Sequence, residues 1–278
     1  MKISVIGTGI MGKSIVSYLS LFESVKEICW LGSNVDRAQS EFSSMSRVLK
    51  RIVRKQGGDS VSSIQKIVPV NQFLSLKESS LVIETVTEDY EIKKNVFNNL
   101  NNVIDSSVIL ASNTSSISIT RLASNVENPA RVIGVHFFNP IEIMELVEIV
   151  AGHHTSQETV DWIKKFLLYI QKKPICLNET PGFIVNRMMI PMINEAVTLL
   201  AEGVAIREDI DNAMKYGANH PIGPLSLSDL IGNDVVLSIM ETLFYETNDP
   251  KYRPHPYLKK MVRAGCLGRK SKKGFYSY

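Results

Sequence analysis

Two side chains twelve residues apart have the types that acid–base chemistry needs. His136 begins the segment HFFNP, directly after the apolar run Arg131–Val135. Glu148 interrupts another apolar run, Leu146–Val150, where burying a carboxylate is costly unless it has a partner. A His–Glu pair would satisfy the carboxylate and fix the imidazole tautomer, as general acid–base catalysis requires. The alternative is a structural histidine and a solvent-facing glutamate on an edge strand.

A second group of polar residues follows the apolar run Val108–Ala111 and precedes a helical pattern that begins near Ile119. Its members are Ser112, Asn113, Thr114, Ser115 and Ser116. In a doubly wound sheet, ligands bind at the carboxyl ends of the strands, so these hydroxyl and amide groups are candidates for substrate contacts. They could equally serve only as a helix cap, and their spacing does not decide between the two.

The chain begins with a glycine pattern that is typical of dinucleotide-binding turns. The segment GTGIMG, between a strand pattern and a helix pattern, consists of Gly7, Thr8, Gly9, Ile10, Met11 and Gly12. The first glycine permits a tight turn, the second lets the backbone approach a pyrophosphate, and the third allows helix and strand to pack closely. The helix N-terminus attracts the negative charge. The pattern therefore predicts a dinucleotide site, against the alternative of a glycine turn without a ligand.

The end of the second strand pattern, Lys26–Leu31, bears on which dinucleotide is bound. An acidic residue at this place binds the adenosine ribose of NAD, and here Gly32 stands instead. The neighbouring side chains that could donate hydrogen bonds to a 2′-phosphate are Ser33, Asn34 and Arg37. We therefore expect NADP(H) to be tolerated or slightly preferred, whereas Asp36 or backbone groups could still hold NAD(H).

Short apolar runs alternate with amphipathic stretches over the first 180 residues. Most of the runs are continuous, as in a sheet that is buried on both faces. They predict strands at Lys2–Ile6, Lys26–Leu31, Lys66–Val70, Leu81–Thr85, Val108–Ala111, Arg131–Val135, Leu146–Val150 and Lys173–Leu177. The helical stretches between them make βαβ units, so the predicted fold class is α/β, with a Rossmann-type, doubly wound and mainly parallel sheet.

The pattern changes after Asn178–Gly182, which is the predicted hinge. Beyond it no strand pattern is present, and helices are expected at Phe183–Glu202, Arg207–Tyr216, Leu225–Glu246 and Pro256–Ala264. The length of 278 residues suits two domains of ordinary size. We therefore predict a dinucleotide-binding domain over residues 1–180 and an all-helical C-terminal domain over residues 181–278.

Composition excludes several classes of protein. Hydrophobic residues make up 44% and charged residues 21%, which argues against a disordered or fibrous chain. The formal net charge of +3 excludes a uniformly basic nucleic-acid binder. No apolar run reaches the roughly 20 residues that cross a bilayer, and no signal-peptide pattern is seen. Three scattered cysteines favour neither disulfides nor a metal site, so a cytoplasmic protein without a metal is expected.

The charge is unevenly distributed along the chain. From Lys251 to Tyr278 there are nine Lys or Arg residues and no Asp or Glu, which makes a basic tail. A shorter basic cluster has helical spacing and consists of Arg47, Lys50, Arg51, Arg54 and Lys55. This cluster predicts an anion-binding helix face, with a solvated charged face as the alternative.

Taken in order, these segments resemble one known family. The matching stretches are GTGIMG at 7–12, ASNTSSISIT at 111–120, RVIGVHFFNP at 131–140, TPGFIVNRMMIPMINEA at 180–196, MKYGANHPIGPLSLSDLIG at 214–232 and KYRPHPYLKKMVRAGCLGRKSKKGFYSY at 251–278. They span nearly the whole chain, and HFFNP and PGFIVNR are far more specific than the glycine pattern. The chain resembles the 3-hydroxyacyl-CoA dehydrogenases, most closely the bacterial 3-hydroxybutyryl-CoA dehydrogenases.

The resemblance implies an NAD(P)-dependent interconversion of (S)-3-hydroxyacyl-CoA and 3-ketoacyl-CoA on short chains, such as 3-hydroxybutyryl-CoA and acetoacetyl-CoA. By position, it makes His136 the acid–base and Glu148 its orienting carboxylate. The residues implied at the substrate are Ser115 and Asn186 beside the reacting oxygen and Lys55 on the CoA phosphates. The residues implied around the nicotinamide half of the cofactor are Glu88, Lys93, Ser115 and Asn139. A homodimer formed through the helical domain is also implied, with the basic tail either structural or at the subunit interface.

Three departures from the family pattern are visible. Gly32 replaces an acid, Glu142 and Glu145 stand where relatives often carry Pro and Lys, and Phe22–Lys26 is slightly longer than usual. Two alternatives stay open on the sequence. One is a related β-hydroxyacid or sugar-acid dehydrogenase that does not use CoA, and the other is a non-catalytic dinucleotide-binding protein.

Overall fold

The computed structural model describes residues 1–32, 43 and 60–278. The chain forms two compact units, Met1–Thr180 and Pro181–Tyr278. Several residues of the sequence analysis lie outside the described part, namely Ser33, Asn34, Asp36, Arg37 and the whole basic cluster that ends at Lys55. The predictions made for them remain predictions.

An eight-stranded sheet forms the centre of the N-terminal unit. Its strands are β1 (Lys2–Ile6), β2 (Glu27–Leu31), β3 (Ile67–Val70), β4 (Leu81–Glu84), β5 (Ile109–Ser112), β6 (Val132–Phe137), β7 (Leu146–Ala151) and β8 (Lys173–Asn178). They lie in the order β3-β2-β1-β4-β5-β6-β7-β8, and the neighbours are parallel except β6 and β7. The strand order reverses between β1 and β4, where a doubly wound sheet leaves a crevice for ligands.

In the part of this unit that the structure describes, the helices are α1 (Ile10–Leu19), α2 (Ser60–Gln65), α3 (Tyr90–Val103), α4 (Ile119–Ala123) and α5 (Gln157–Tyr169). Local sequence determines where some of them begin, because the Asp89 side chain caps α3 and the Ser156 side chain caps α5. Consecutive residues of β1, β4 and β5 are buried, so both faces of the sheet are covered. The predicted α/β class with a mainly parallel sheet is confirmed.

The unit Pro181–Tyr278 is built from helices. They are α6 (Val185–Ala201), α7 (Arg207–Asn212), α8 (Pro224–Ile231), α9 (Asn233–Thr247) and α10 (Pro256–Arg263). Buried apolar side chains from all five helices, including Ile193, Met240 and Leu258, form the core. The single helix predicted over Leu225–Glu246 is wrong, since α8 and α9 are separated at Gly232, whose φ of 108° favours glycine.

A buried carboxylate holds the end of the chain in the helical unit. Asp229, on α8, accepts hydrogen bonds from the backbone amides of Phe275 and Tyr276 at 2.9 and 2.8 Å. It also accepts one from the Asn233 side chain at 2.9 Å. A Cβ on Gly274 would collide with the same carboxylate, which explains the glycine there. The basic tail is therefore an ordered part of the unit.

Among the residues that the structure describes, no helix is long and apolar enough to cross a membrane. The same residues contain no cluster of His, Cys, Asp and Glu side chains that could hold a metal ion. The cysteines at 29, 176 and 266 are all free thiols, and Cys29 is buried whereas Cys176 is exposed.

Candidate active site

The glycine segment forms the turn between β1 and α1, and steric contacts explain two of its glycines. Gly7 has a φ of 115°, and a Cβ there would lie 2.7 Å from Oγ1 of Thr85, the residue after β4. A Cβ on Gly12 would collide with the Gly7 carbonyl oxygen. The absence of both side chains lets α1 approach β1 closely, as dinucleotide-binding turns require.

Gly9 has a different environment, since a Cβ there would have nothing within 4 Å. It precedes Ile10 and Met11 at the N-terminus of α1, where no side chain caps the helix and the first turn contains no acidic residue. Backbone N–H groups at a helix N-terminus bind anions, and the space at Gly9 lets one approach. These residues therefore fit the pyrophosphate of a dinucleotide.

Trp30 supports the glycine turn, although the sequence patterns did not single it out. This fully buried residue of β2 donates its indole Nε1–H to the Gly7 carbonyl at 2.9 Å. The Gly7 amide in turn donates to the Leu31 carbonyl at 2.9 Å. A buried indole needs an acceptor, and that need is the one signal of Trp30 that the sequence contains. Gly32, which follows β2, is also buried.

A buried ion pair joins Glu84 and Lys93 at the carboxyl ends of β4 and β5. Both residues are 0% exposed, and Lys93 Nζ lies 2.7 and 3.0 Å from the two Glu84 carboxylate oxygens. Glu84 also accepts from the Val86 amide and the Ser112 hydroxyl, both at 2.6 Å. The sequence analysis missed Glu84, although a carboxylate inside the predicted strand Leu81–Thr85 is the same signal that drew attention to Glu148.

Glu88 connects this ion pair to the polar loop after β5. Its Oε2 lies 3.4 Å from Lys93 Nζ, while its Oε1 accepts from hydroxyl and amide groups of the loop. The donors are the Thr114 hydroxyl at 2.6 Å, the Ser115 amide and hydroxyl at 2.8 and 3.2 Å, and the Ser116 amide and hydroxyl at 3.0 and 3.1 Å. Burial raises the pKa of Glu88, but the Lys93 charge and these hydrogen bonds outweigh it and hold the pKa below its ordinary value.

The loop also contains capping side chains, but Ser115 is not one of them. Ser118 caps α4 by accepting a hydrogen bond from the Arg121 amide at 3.0 Å. Thr114 accepts from the Ile117 amide at 2.8 Å and so stabilises the turn before the helix. The Ser115 hydroxyl is held on Glu88 instead, and this distinguishes it from the helix cap that the sequence left open.

Strands β6 and β7 pair His136 with Glu148 in antiparallel register. His136 Nδ1 lies 2.8 Å from Glu148 Oε2, and the two residues are only 8% and 1% exposed. One detail of the sequence interpretation is wrong, and the alternative given for Glu148 does not hold. His136 lies inside β6, which extends to Phe137, rather than after the strand. Glu148 is not on an edge strand, because β8 pairs with the other side of β7.

The His136–Glu148 pair and the loop that contains Ser115 lie at the same edge of the sheet. The backbone amide of Phe137, next to His136, donates to Asn113 Oδ1 at 2.9 Å and so ties β6 to the start of that loop. A carboxylate beside Nδ1 favours the tautomer that carries its proton on that nitrogen. The structure therefore pairs His136 with Glu148 and ties the strand of His136 to the start of the loop that contains Ser115.

A buried lysine stabilises the connection between β6 and β7 by donating hydrogen bonds to its backbone. This connection contains three exposed residues of the sequence analysis, namely Asn139, Glu142 and Glu145. Lys172, 4% exposed, donates to the Ile141 and Met144 carbonyls at 2.5 and 3.0 Å. Burial lowers the pKa of Lys172, although the nearby glutamates oppose this effect. No pattern in the sequence indicates this role of Lys172.

Asn186, the other residue expected beside the substrate oxygen, belongs to the helical unit. It lies in the first turn of α6 and is buried. The chain reaches this helix through Gly182, whose φ of 72° is in the region that favours glycine. The Gly182 carbonyl accepts a hydrogen bond from the Arg187 amide at 3.1 Å, which stabilises the start of α6.

Comparison with known proteins gives the family. The family model "3-hydroxyacyl-CoA dehydrogenase, NAD binding domain" matches residues 2–180. The model of the C-terminal domain of the same family matches residues 182–278. The chain belongs to the 3-hydroxyacyl-CoA dehydrogenase family. Among curated proteins, it is 45% identical over 281 residues to a 3-hydroxybutyryl-CoA dehydrogenase of Clostridioides difficile, covering 100% of this chain and 99% of the relative.

Other family members are similar over nearly the same length. The crystal structure of (S)-3-hydroxybutyryl-CoA dehydrogenase from Ralstonia eutropha superimposes with a TM-score of 0.95 at 39% identity, covering 100% of this chain and 98% of the other. The mitochondrial hydroxyacyl-coenzyme A dehydrogenase of Sus scrofa is 33% identical over 286 residues, covering 99% of this chain and 90% of the relative.

Family membership confirms the oxidoreductase activity that the sequence motifs indicated. This 3-hydroxyacyl-CoA dehydrogenase family member carries its glycine turn in the part that matches an NAD binding domain, so its cofactor is a nicotinamide dinucleotide. The comparisons do not favour the dehydrogenase of free hydroxyacids or the non-catalytic dinucleotide-binding protein.

Proposed function

We propose that this family member interconverts 3-hydroxybutyryl-CoA and acetoacetyl-CoA, the short-chain case of the 3-hydroxyacyl-CoA reaction. The observation that carries the proposal is the buried His136–Glu148 pair beside the loop that holds Ser115. Support for the short acyl chain comes from the relatives in Clostridioides difficile and Ralstonia eutropha, whose names specify 3-hydroxybutyryl-CoA.

His136 is the proposed acid–base. A bound nicotinamide supplies the hydride chemistry at substrate C3. In oxidation, His136 Nε2 takes the proton of the C3 hydroxyl, and in reduction it returns the proton to the C3 oxygen. The Glu148 carboxylate, 2.8 Å from Nδ1, stabilises the resulting imidazolium and keeps Nε2 directed away from it.

Ser115 and Asn186 are proposed to bind the substrate oxygen. The Ser115 hydroxyl can rotate from Glu88 to that oxygen without moving the backbone, because the Ser115 amide keeps its own hydrogen bond to Glu88 at 2.8 Å. Asn186 would contribute its side-chain amide from α6. Lys55 is proposed to bind the CoA phosphates, for which an ammonium group on a basic helix face is suited.

The cofactor is proposed to be NAD(H) or NADP(H), with a slight preference for NADP(H). The proposed cofactor-binding residues are Gly7, Gly9, Ile10, Met11, Gly12, Gly32, Ser33, Arg37, Glu88, Lys93, Ser115 and Asn139. The preference rests on Gly32, since a residue without a side chain removes the carboxylate that would repel a 2′-phosphate.

The two parts of the chain are proposed to divide the work. Residues 1–180 would bind the dinucleotide, and residues 181–278 would bind substrate and form a homodimer, with Asn178–Gly182 as the hinge. Two separate family models that match residues 2–180 and 182–278 support this division. Light scattering of the purified protein would test the dimer, and a monomeric mass would contradict it.

Initial rates with acetoacetyl-CoA and with free acetoacetate, each with NADH and with NADPH, test the proposed function. We expect reduction of acetoacetyl-CoA, little reduction of the free acid, and kcat/KM for NADPH at least equal to that for NADH. A strong preference for NADH would contradict the cofactor proposal alone. Equal rates with the free acid would contradict the CoA substrate. Lys55→Met should raise the KM for acetoacetyl-CoA and leave the KM for the cofactor unchanged.

A further inference from the structure

Lys93 has two carboxylates within reach, and they are not equivalent. Its Nζ lies 2.7 Å from Glu84 Oε1 and 3.4 Å from Glu88 Oε2. The Glu84 side chain is 0% exposed, whereas the Glu88 side chain is 36% exposed. The attraction between charges grows as their distance and the local dielectric constant fall. Glu84 is therefore the main counter-ion of the Lys93 ammonium.

Because Glu84 neutralises Lys93, the Glu88 carboxylate can accept hydrogen bonds from the loop after β5. Glu88 Oε1 accepts hydrogen bonds from hydroxyl and amide groups of Thr114, Ser115 and Ser116, and its Oε2 lies 3.4 Å from Lys93 Nζ. Without the Glu84 charge, the nearest negative group for the ammonium would be Glu88. A buried charge that has lost its partner is strongly unfavourable, so Lys93 would draw the Glu88 carboxylate towards itself and away from Ser115.

Glu84 also fixes the two strand ends from which these groups start. It accepts from the Val86 amide at 2.6 Å, just after its own strand β4, and from the Ser112 hydroxyl at 2.6 Å at the end of β5. The segment after β4 leads to Glu88, and the segment after β5 leads to Ser115. The Glu84 carboxylate therefore connects the start of both segments to each other and to Lys93.

We propose that Glu84 is a positioning residue for the reaction: by binding Lys93, it leaves Glu88 to hold the Ser115 loop beside His136. Glu84 itself touches neither substrate nor cofactor in this scheme and acts through Lys93 and Glu88. The inference rests on the proposed function to the extent that Ser115 binds the substrate oxygen.

The variant Glu84→Gln removes the charge and keeps the shape and one acceptor oxygen. We expect kcat for acetoacetyl-CoA reduction to fall about 100-fold, the scale of a misplacement of roughly 1 Å in a positioned group. The matched control is Glu27→Gln. Glu27, on β2, forms an ion pair of 3.0 Å with Lys2 on β1 at the sheet surface, and the variant removes its charge. Its kcat should equal that of the wild type. A folded Glu84→Gln with wild-type kcat would overturn the proposal.

The double variant Glu84→Gln/Lys93→Gln separates positioning from charge neutralisation and covers the case in which Glu84→Gln does not fold. It removes both buried charges, so its melting temperature should return towards that of the wild type. Its kcat at saturating NADH should also recover towards the wild-type value, because no ammonium remains to draw Glu88 away from Ser115. The Lys93 charge holds the pKa of Glu88 below its ordinary value, so its removal raises that pKa. Activity should then be lost at a higher pH than in the wild type as the pH falls. A folded double variant whose kcat stays about 100-fold low would contradict a role of Glu84 that acts through Lys93 and Glu88.

A crystal structure of Glu84→Gln tests the positioning independently of activity. We expect the distance from Lys93 Nζ to Glu88 Oε2 to shorten from 3.4 Å, and Glu88 Oε1 to leave hydrogen-bond distance of Ser115. An unchanged Glu88–Ser115 contact would overturn the proposal. If the wild type does not reduce acetoacetyl-CoA, the proposed function fails, and this structure still decides the role of Glu84.

Discussion

Replacing Glu148 by glutamine tests the acid–base pair with a minimal change of shape. Glutamine keeps an oxygen that can accept from His136 Nδ1, but it lacks the negative charge that stabilises the imidazolium. The pair is separated by 2.8 Å and Glu148 is 1% exposed, so solvent screens this charge little. The change therefore isolates the electrostatic contribution of the carboxylate from its contribution to packing.

The expected loss follows from two estimates. Two unit charges about 4 Å apart interact by about 4 kcal/mol at an effective dielectric constant of about 20. Measured hydrogen bonds to charged groups contribute about 1.5–3 kcal/mol, and we take this smaller range because glutamine still accepts a hydrogen bond. Since 1.36 kcal/mol corresponds to a factor of ten, kcat should fall about 10- to 150-fold.

Steady-state reduction of acetoacetyl-CoA by NADH measures the effect, with kcat and both KM values determined. The matched control is Glu158→Gln, an exposed glutamate in the first turn of α5. We expect Glu148→Gln to lower kcat and leave the KM for NADH unchanged, and the control to behave as the wild type. Wild-type kcat in a folded Glu148→Gln protein would remove Glu148 from the mechanism. A change confined to the KM for NADH would place its effect in cofactor binding instead.

Three further predictions concern the glycine turn, the thiols and the chain end. Trp30→Phe deletes one hydrogen bond to the turn, worth about 1 kcal/mol, so the Kd for NADH should rise about fivefold with kcat unchanged. The control is Trp162→Phe on α5, and an equal change of the Kd in both variants would refute this. Burial and a hydrogen bond to a glutamate raise the pKa of Cys29 to about 11, so a thiol reagent at mildly alkaline pH should label Cys176 and spare Cys29 until unfolding; equal labelling rates would refute this. Asp229→Asn replaces an acceptor of backbone amides and should lower the free energy of unfolding by about 2–3 kcal/mol in urea titration, and an unchanged midpoint would count against it.

Much of the fold could be predicted because its signals are local. Strands buried on both faces are continuous apolar runs, and the strand positions inferred from them lie within two residues of those in the structure. The errors arose where a local signal misleads. His136 is the polar residue that ends the apolar run. The strand nevertheless continues to Phe137, because both residues pair with β7. An apolar helical pattern hid the break at Gly232, since periodicity does not report a single residue of positive φ.

The candidate site divides in the same way. The glycines, His136 and Glu148 could be found from residue type and neighbouring pattern. Trp30 and Lys172 could not, because their partners lie far along the chain: the Trp30 indole binds a carbonyl 23 residues away, and Lys172 Nζ binds one 31 residues away. Such roles exist only when particular strands and loops become neighbours.

The sequence by itself determined the α/β class, the change to helices after residue 180, the glycine turn and the types of the reacting groups. These depend on the period of apolar residues, on backbone sterics and on side-chain chemistry, which each segment carries alone. Tertiary structure alone decided that β6 and β7 run antiparallel with His136 opposite Glu148, and that Glu84 binds Lys93 while Glu88 binds Ser115. The physical reason is that burial and the distance between charges depend on which elements pack together. The Glu148 carboxylate would be solvated on an edge strand, whereas here β8 covers β7 and Glu148 is paired with His136 in the interior.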